Sequence, residues 1–168
     1  TTYTASFYAK SSDGFAGPLT VDIETNNGAK QLASAIVPAL TGGWAKYEVK
    51  LTTGDVAPSE DNRFVISAKT KGTFWLALVS LFPPTYDNTP NGNRIDLMQK
   101  LGAMNPSFLR LPGGNYLEGN SLADYFDWKR TIGPLEKLPG EPCPLGYRSS
   151  AGLGLLEYLE WCEDLHMQ

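Results

Sequence analysis

Cysteine and histidine are nearly absent from this chain of 168 residues. Cys143 and Cys162 are the two cysteines and His166 is the one histidine. A zinc site built from cysteine and histidine needs about four such ligands, so the chain cannot make one, and no metal is expected. A Ser-His-Asp triad would depend on His166, the third residue from the end, and is set aside. Long apolar runs are also missing. The longest, Phe74 to Phe82, is far short of a membrane span. There is no excess of positive charge: 14 basic residues stand against 18 acidic ones, a net charge of −4. Without a basic patch, a nucleic-acid partner is not expected. No secretory signal opens the chain. It begins in strand-like sequence and stops after a helix, which suggests a piece of a longer polypeptide.

What is present is a globular composition, 42% hydrophobic and 19% charged. Glycine and proline together make 29 of the 168 residues, so turns are plentiful. Up to residue 84, β-type runs alternate with turn residues. Ala5 to Ala9 reads as a strand. Leu19, Val21 and Ile23 alternate with Thr20, Asp22 and Glu24, and Asn27-Gly28 follows as a hairpin turn. Tyr47, Val49 and Leu51 alternate with lysines and a glutamate, and Phe64 and Ile66 with Arg63, Val65 and Ser67. Phe74 to Phe82 is apolar on both faces and predicts a buried strand. About six such strands argue for a β-sandwich of jelly-roll type over residues 1–84.

Pro83-Pro84 is a stiff connector, and the pattern then changes. Ile95, Met98, Leu101 and Met104 recur at helical spacing over 94–104. Ser107 to Leu111 reads as a short strand stopped by Pro112-Gly113-Gly114. A Gly- and Pro-rich loop runs to Ala151, and Leu153 to Leu165 forms a second amphipathic helix. Helix, strand, loop and helix are the opening of an α/β unit with a parallel sheet, over residues 85–168. Such units most often close into a (β/α)8 barrel, of which this is a part.

The strand 108–111 carries the most chemistry. Arg110 in an apolar strand is costly unless its charge is paired. Gly113 and Gly114 allow a sharp turn or a close ligand approach. Asn115 falls just past the strand's C-terminal end, where β/α enzymes place their sites. A buried structural arginine and a turn asparagine would give the same pattern. Glu118, Asp124, Asp127 and Glu136 lie in the loop and read first as solvated carboxylates. Trp44, Trp75 and Trp128 offer flat faces to sugar rings. Trp75 reads as core, and Trp128 is the better binding candidate. Cys143 and Cys162 could pair, but two cysteines alone do not show it.

At these residues the sequence resembles a known family. The carriers are Ser80 to Tyr86, Asn91-Gly92, Phe108-Leu109-Arg110, Pro112 to Asn115, Leu117-Glu118-Gly119, Thr131 to Glu136, Gly146-Tyr147, and Gly152 to Leu155 with Glu157 to Asp164. They resemble the α-L-arabinofuranosidases of glycoside hydrolase family 51, nearest the fungal secreted branch, over nearly all of 80–165. Residues 1–79 match more loosely and resemble a carbohydrate-binding module.

The resemblance implies a (β/α)8 TIM barrel after the sandwich, a retaining mechanism without a cofactor, and a secreted enzyme. The implied substrates are arabinose-containing polysaccharides, arabinoxylan or arabinan, with no membrane partner. Both catalytic glutamates are expected outside this segment, in the remainder of the polypeptide. Arg110 would support the nucleophile, and Asn115, with Gly114 and Trp128, would contact the sugar. The chain departs from the family at Leu138, at Leu145 (where a tryptophan is usual) and at Ser149-Ser150-Ala151-Gly152. A non-catalytic binding module carrying an enzyme remnant is the alternative.

Overall fold

The computed structural model describes residues 1–15 and 17–168, with the side chains of Asn115 and Tyr116 outside the described set. The chain divides into two compact units, Thr1–Arg94 and Ile95–Gln168. No helix among the described residues is long and apolar enough to cross a membrane.

The first unit is a sandwich of two antiparallel three-stranded sheets. Its strands are β1 (Thr2–Ser11), β2 (Leu19–Thr25), β3 (Gln31–Val37), β4 (Ala45–Thr52), β5 (Asn62–Ala68) and β6 (Phe74–Phe82). One sheet has the order β4-β1-β6 and the other β3-β2-β5. The two central strands supply most of the core because only they have neighbours on both sides. Ala5, Phe7 and Ala9 of β1 meet Leu19, Val21 and Ile23 of β2, joined by Ala33, Val37 and Leu51. Each set is spaced by two, as the pleat requires. Tyr47 stacks on Phe7 at 6.0 Å between ring centres. The Asn27-Gly28 turn forms as its sequence predicts. Gly28 has φ 72°, its N–H donates to Thr25 O, and the Asn27 carboxamide oxygen accepts from Thr25 Oγ1 and Ala29 N.

β6 corrects the sequence expectation. It is not buried on both faces: Trp75, Leu78 and Val79 are roughly half exposed. β6 lies at a sheet edge, so the opposite sheet covers one face only. Its register against β1 shifts where Ala77 faces Tyr8 and Ser80 faces Ser6. Leu78 takes φ 49° within that shift. A bulge of this kind re-aims the side chains around it.

In the second unit, α1 (Ile95–Ala103) and α3 (Leu155–Asp164) are the longer helices, close to the predicted spans, and Gly102 of α1 faces Leu165 just past α3. The segment read as a strand over 107–111 does not form one; its sheet-like pairing is limited to two bonds to Gln168. Ser107 O accepts from Gln168 N at 3.0 Å, and Leu109 N donates to Gln168 O at 2.8 Å. One residue bonding to both neighbours of its opposite number is the parallel pattern. The loop 115–151 has structure of its own. It holds α2 (Gly114–Glu118), 3-10 turns at Trp128–Thr131 and Leu135–Lys137, and a hairpin of β7 (Glu141–Cys143) and β8 (Tyr147–Ser149).

Candidate functional site

The site residues read from the sequence fall on one continuous stretch of the second unit. Arg110 follows directly on Leu109, which is bonded to Gln168, and it is exposed. Gly113 and Gly114 then turn the chain with φ values of 90° and 30°. A Cβ at Gly114 would meet no described atom within 4 Å. Glycine is therefore required here by backbone conformation, not by crowding, and the backbone stays open to a close approach. Asn115 lies in α2; its side chain is outside the described residues.

α2 is stitched to the loop that carries Trp128. Phe126 N donates to Leu117 O at 3.2 Å, and Ser121 Oγ donates to Asp124 Oδ2 at 2.9 Å. Gly119 closes this loop with φ 67°, and a Cβ there would run into the Asp124 carbonyl. These contacts bring α2 and the Trp128 turn into one local structure.

The Trp128 turn is held from both ends. The Asp127 carboxylate accepts from Lys129 N at 3.2 Å, a capping bond. Thr131, almost fully buried, donates its hydroxyl proton to Trp128 O at 2.7 Å and accepts from Leu155 N at 3.0 Å. Thr131 thus caps α3 while fixing the tryptophan's backbone. Gly154 leaves room for it, since a Cβ there would strike the Thr131 carbonyl. Glu157 reaches back to Gly154 N at 2.9 Å, completing the helix start. Trp128 is 45% exposed, with the Lys129 ammonium 5.7 Å from its ring centre. Its open indole suits stacking against a sugar.

Two stability effects follow. Thr131→Val removes both hydroxyl bonds and leaves the Leu155 N–H without this acceptor. It should cost about 1–3 kcal/mol, seen as a lower denaturation midpoint. Gly154→Ala should cost a similar amount, about 1–3 kcal/mol by overpacking. Unchanged midpoints in both variants would refute the coupling of the turn to α3.

The loop carboxylates Glu118 and Glu136 are exposed; Asp124 and Asp127 are partly covered and engaged in the loop bonds above. Glu141, which the sequence did not single out, is buried and paired. Cys143 and Cys162 are both buried free thiols, so the pairing raised from the sequence does not form. Tyr147 sits opposite Cys143 in the hairpin. Its hydroxyl is held above the usual tyrosine pKa by a hydrogen bond to Cys143 and then by the negative charge of the Cys143 thiolate form. Leu145, at the hairpin tip, is exposed.

Trp75 was expected in the core and is instead 44% exposed. On the outer face of the β4-β1-β6 sheet it brackets Lys10 together with Trp44. The Lys10 ammonium lies 5.3 Å from the Trp44 ring centre and 4.9 Å from that of Trp75.

Comparison with known proteins agrees with the resemblance. Residues 100–168 match the alpha-L-arabinofuranosidase 1 domain family. An extracellular exo-alpha-L-arabinofuranosidase of Streptomyces chartreusis is 37% identical, covering 90% of this chain and 19% of its own length. A probable alpha-L-arabinofuranosidase A of Aspergillus terreus is 34% identical, covering 99% of this chain and 27% of its own. An arabinose-bound α-L-arabinofuranosidase structure of glycoside hydrolase family 51 superposes with a TM-score of 0.88 at 40% identity. That match covers 99% of this chain and 28% of the other. The chain thus spans about a fifth to somewhat over a quarter of the length of these three relatives.

Proposed function

We infer that the chain, which belongs with the α-L-arabinofuranosidases of glycoside hydrolase family 51, is a segment of a retaining enzyme. The whole polypeptide releases terminal non-reducing α-L-arabinofuranose from arabinoxylan or arabinan. The observation that carries this reading is the match to the arabinose-bound enzyme over both units of the chain. The parallel bonds of Gln168 to Ser107 and Leu109 support the start of a (β/α)8 barrel after the sandwich. The name of the Streptomyces relative supports secretion.

A retaining mechanism needs two carboxyl groups about 5–5.5 Å apart, one as nucleophile and one as acid/base. Both are assigned to the remainder of the polypeptide. In this segment Arg110 orients the nucleophile and keeps it ionised. Asn115 exchanges hydrogen bonds with sugar hydroxyls, since a carboxamide both donates and accepts. The open backbone at Gly114 allows the ring to come close, and Trp128 supplies a stacking wall.

Hydrolysis of an aryl α-L-arabinofuranoside tests the reading. The whole polypeptide should turn it over, and the 168-residue chain alone should not. Turnover by the chain alone would sink the placement of the glutamates elsewhere. No turnover by the whole polypeptide, with sugar binding retained by residues 1–84, would favour the binding-module alternative.

A further inference from the structure

The outer face of the β4-β1-β6 sheet carries an aromatic and basic cluster that the catalytic reading does not use. Lys10 pairs directly with Trp75 across β1 and β6, and Ala9 pairs with Ala45 across β1 and β4. Trp44 immediately precedes β4, so one further step of the same register sets it beside Lys10, on the side away from Trp75. The inward side of β1 belongs to Phe7 and Ala9, so alternation turns Tyr8 and Lys10 outward. Both indoles lie within cation–π reach of the same ammonium. Their ring centres are therefore at most about 10 Å apart, roughly two strand spacings, comparable with about two sugar units of an extended chain. Both rings are about half exposed, Trp44 at 51%.

The charge of this face runs against that of the molecule. Lys46 and Lys50 of β4 share it with Lys10, and Glu48, which pairs with Lys50 at 3.7 Å, is the acid interleaved with them on β4. A positive face on a chain of net charge −4 is a local feature. Flat indoles take the apolar faces of sugar rings, and an ammonium between them takes a carboxylate. A neutral glycan would leave the lysine without a function, and a small anion would leave the indoles without one.

We propose that Trp44, Lys10 and Trp75 form a binding surface for a uronate-bearing polysaccharide. Two sugar rings stack on the tryptophans and a uronate carboxylate pairs with Lys10. The polysaccharide class rests on the proposed glycosidase activity, but the surface acts independently of catalysis.

The test uses the whole polypeptide and a glucuronoxylan free of arabinofuranose, so that the proposed catalytic site has nothing to hold. The same polymer with its carboxyl groups reduced is the neutral control. Titration calorimetry should show tighter binding of the acidic form, weakening as salt rises. Trp44→Ala/Trp75→Ala should weaken binding about tenfold or more, as expected for loss of two aromatic contacts. Lys10→Gln should bind both forms alike. Turnover of the aryl arabinofuranoside should be unchanged in all variants, which also reports that they are folded; the single variants Trp44→Ala and Trp75→Ala serve if the alanine pair is not. Absence of binding by the unsubstituted protein, equal affinity for both polymers, or undiminished binding by the double variant would each overturn the proposal. A change of molecular mass in the double variant would show that protein covers this face and would overturn it too.

Discussion

Arg110→Ala in the whole enzyme is expected to lower kcat/KM on an aryl α-L-arabinofuranoside by about two to three orders of magnitude, the scale seen when one fixed electrostatic partner of a reacting group is removed. Arg110 follows directly on Leu109, in the stretch that Ser107 and Leu109 tie to Gln168. That backbone is held, and the side chain is exposed in this segment. A guanidinium presented in this way can grip a carboxylate with two parallel bonds. Its loss has a definite sign in the pH profile. A nearby cation favours the ionised carboxylate, so removing it raises the nucleophile's pKa. The acid limb of kcat/KM should then move to higher pH. Arg110→Lys should restore part of the rate, since it keeps charge but not the fork. A merely structural arginine would lower thermal stability without moving the acid limb. Near-normal turnover with an unmoved profile would refute the role.

Local pattern carried much of this architecture. The alternation of Leu19, Val21 and Ile23, and of Tyr47, Val49 and Leu51, identified the inner faces because a pleated strand half covered by another sheet must alternate. Asn27-Gly28 was legible because its turn is set by adjacent residues. Pro112-Gly113-Gly114 marked the turn into α2 for the same reason. The failures share a cause. Phe74 to Phe82 is apolar throughout, and a run of that kind does not tell an internal strand from an edge strand with an aromatic outer face. The row of Trp44, Lys10 and Trp75 depends on the register of β4 and β6 against β1, which no local window contains. The Thr131 cap on Leu155 spans 24 residues and is equally invisible. The loop 115–151 read as structureless because its turns and short hairpin are too brief to show a period. Trp128 was found as an aromatic in a polar loop, but what steadies it was not.

Phe7→Ala should have the largest effect on the first unit. Phe7 lies on the central strand β1, is fully buried, and stacks on Tyr47. Truncating a buried phenylalanine removes its transfer free energy and leaves a cavity that close-packed neighbours fill only in part, a cost of about 3–5 kcal/mol. Small domains are stable by only about 5–15 kcal/mol, so the denaturation midpoint of this unit should fall steeply. Trp75→Ala is the matched contrast. It too removes an aromatic from an apolar run, but from the exposed face of an edge strand. Its losses are partial packing and a half-solvated cation–π contact, about 1 kcal/mol or less. The two variants therefore separate burial from apolar character, which the sequence presents identically. Chemical denaturation followed by intrinsic fluorescence checks both. A cost for Trp75→Ala equal to that of Phe7→Ala would mean that the outer face of β6 is packed in solution, and the exposed aromatic row would have to be abandoned.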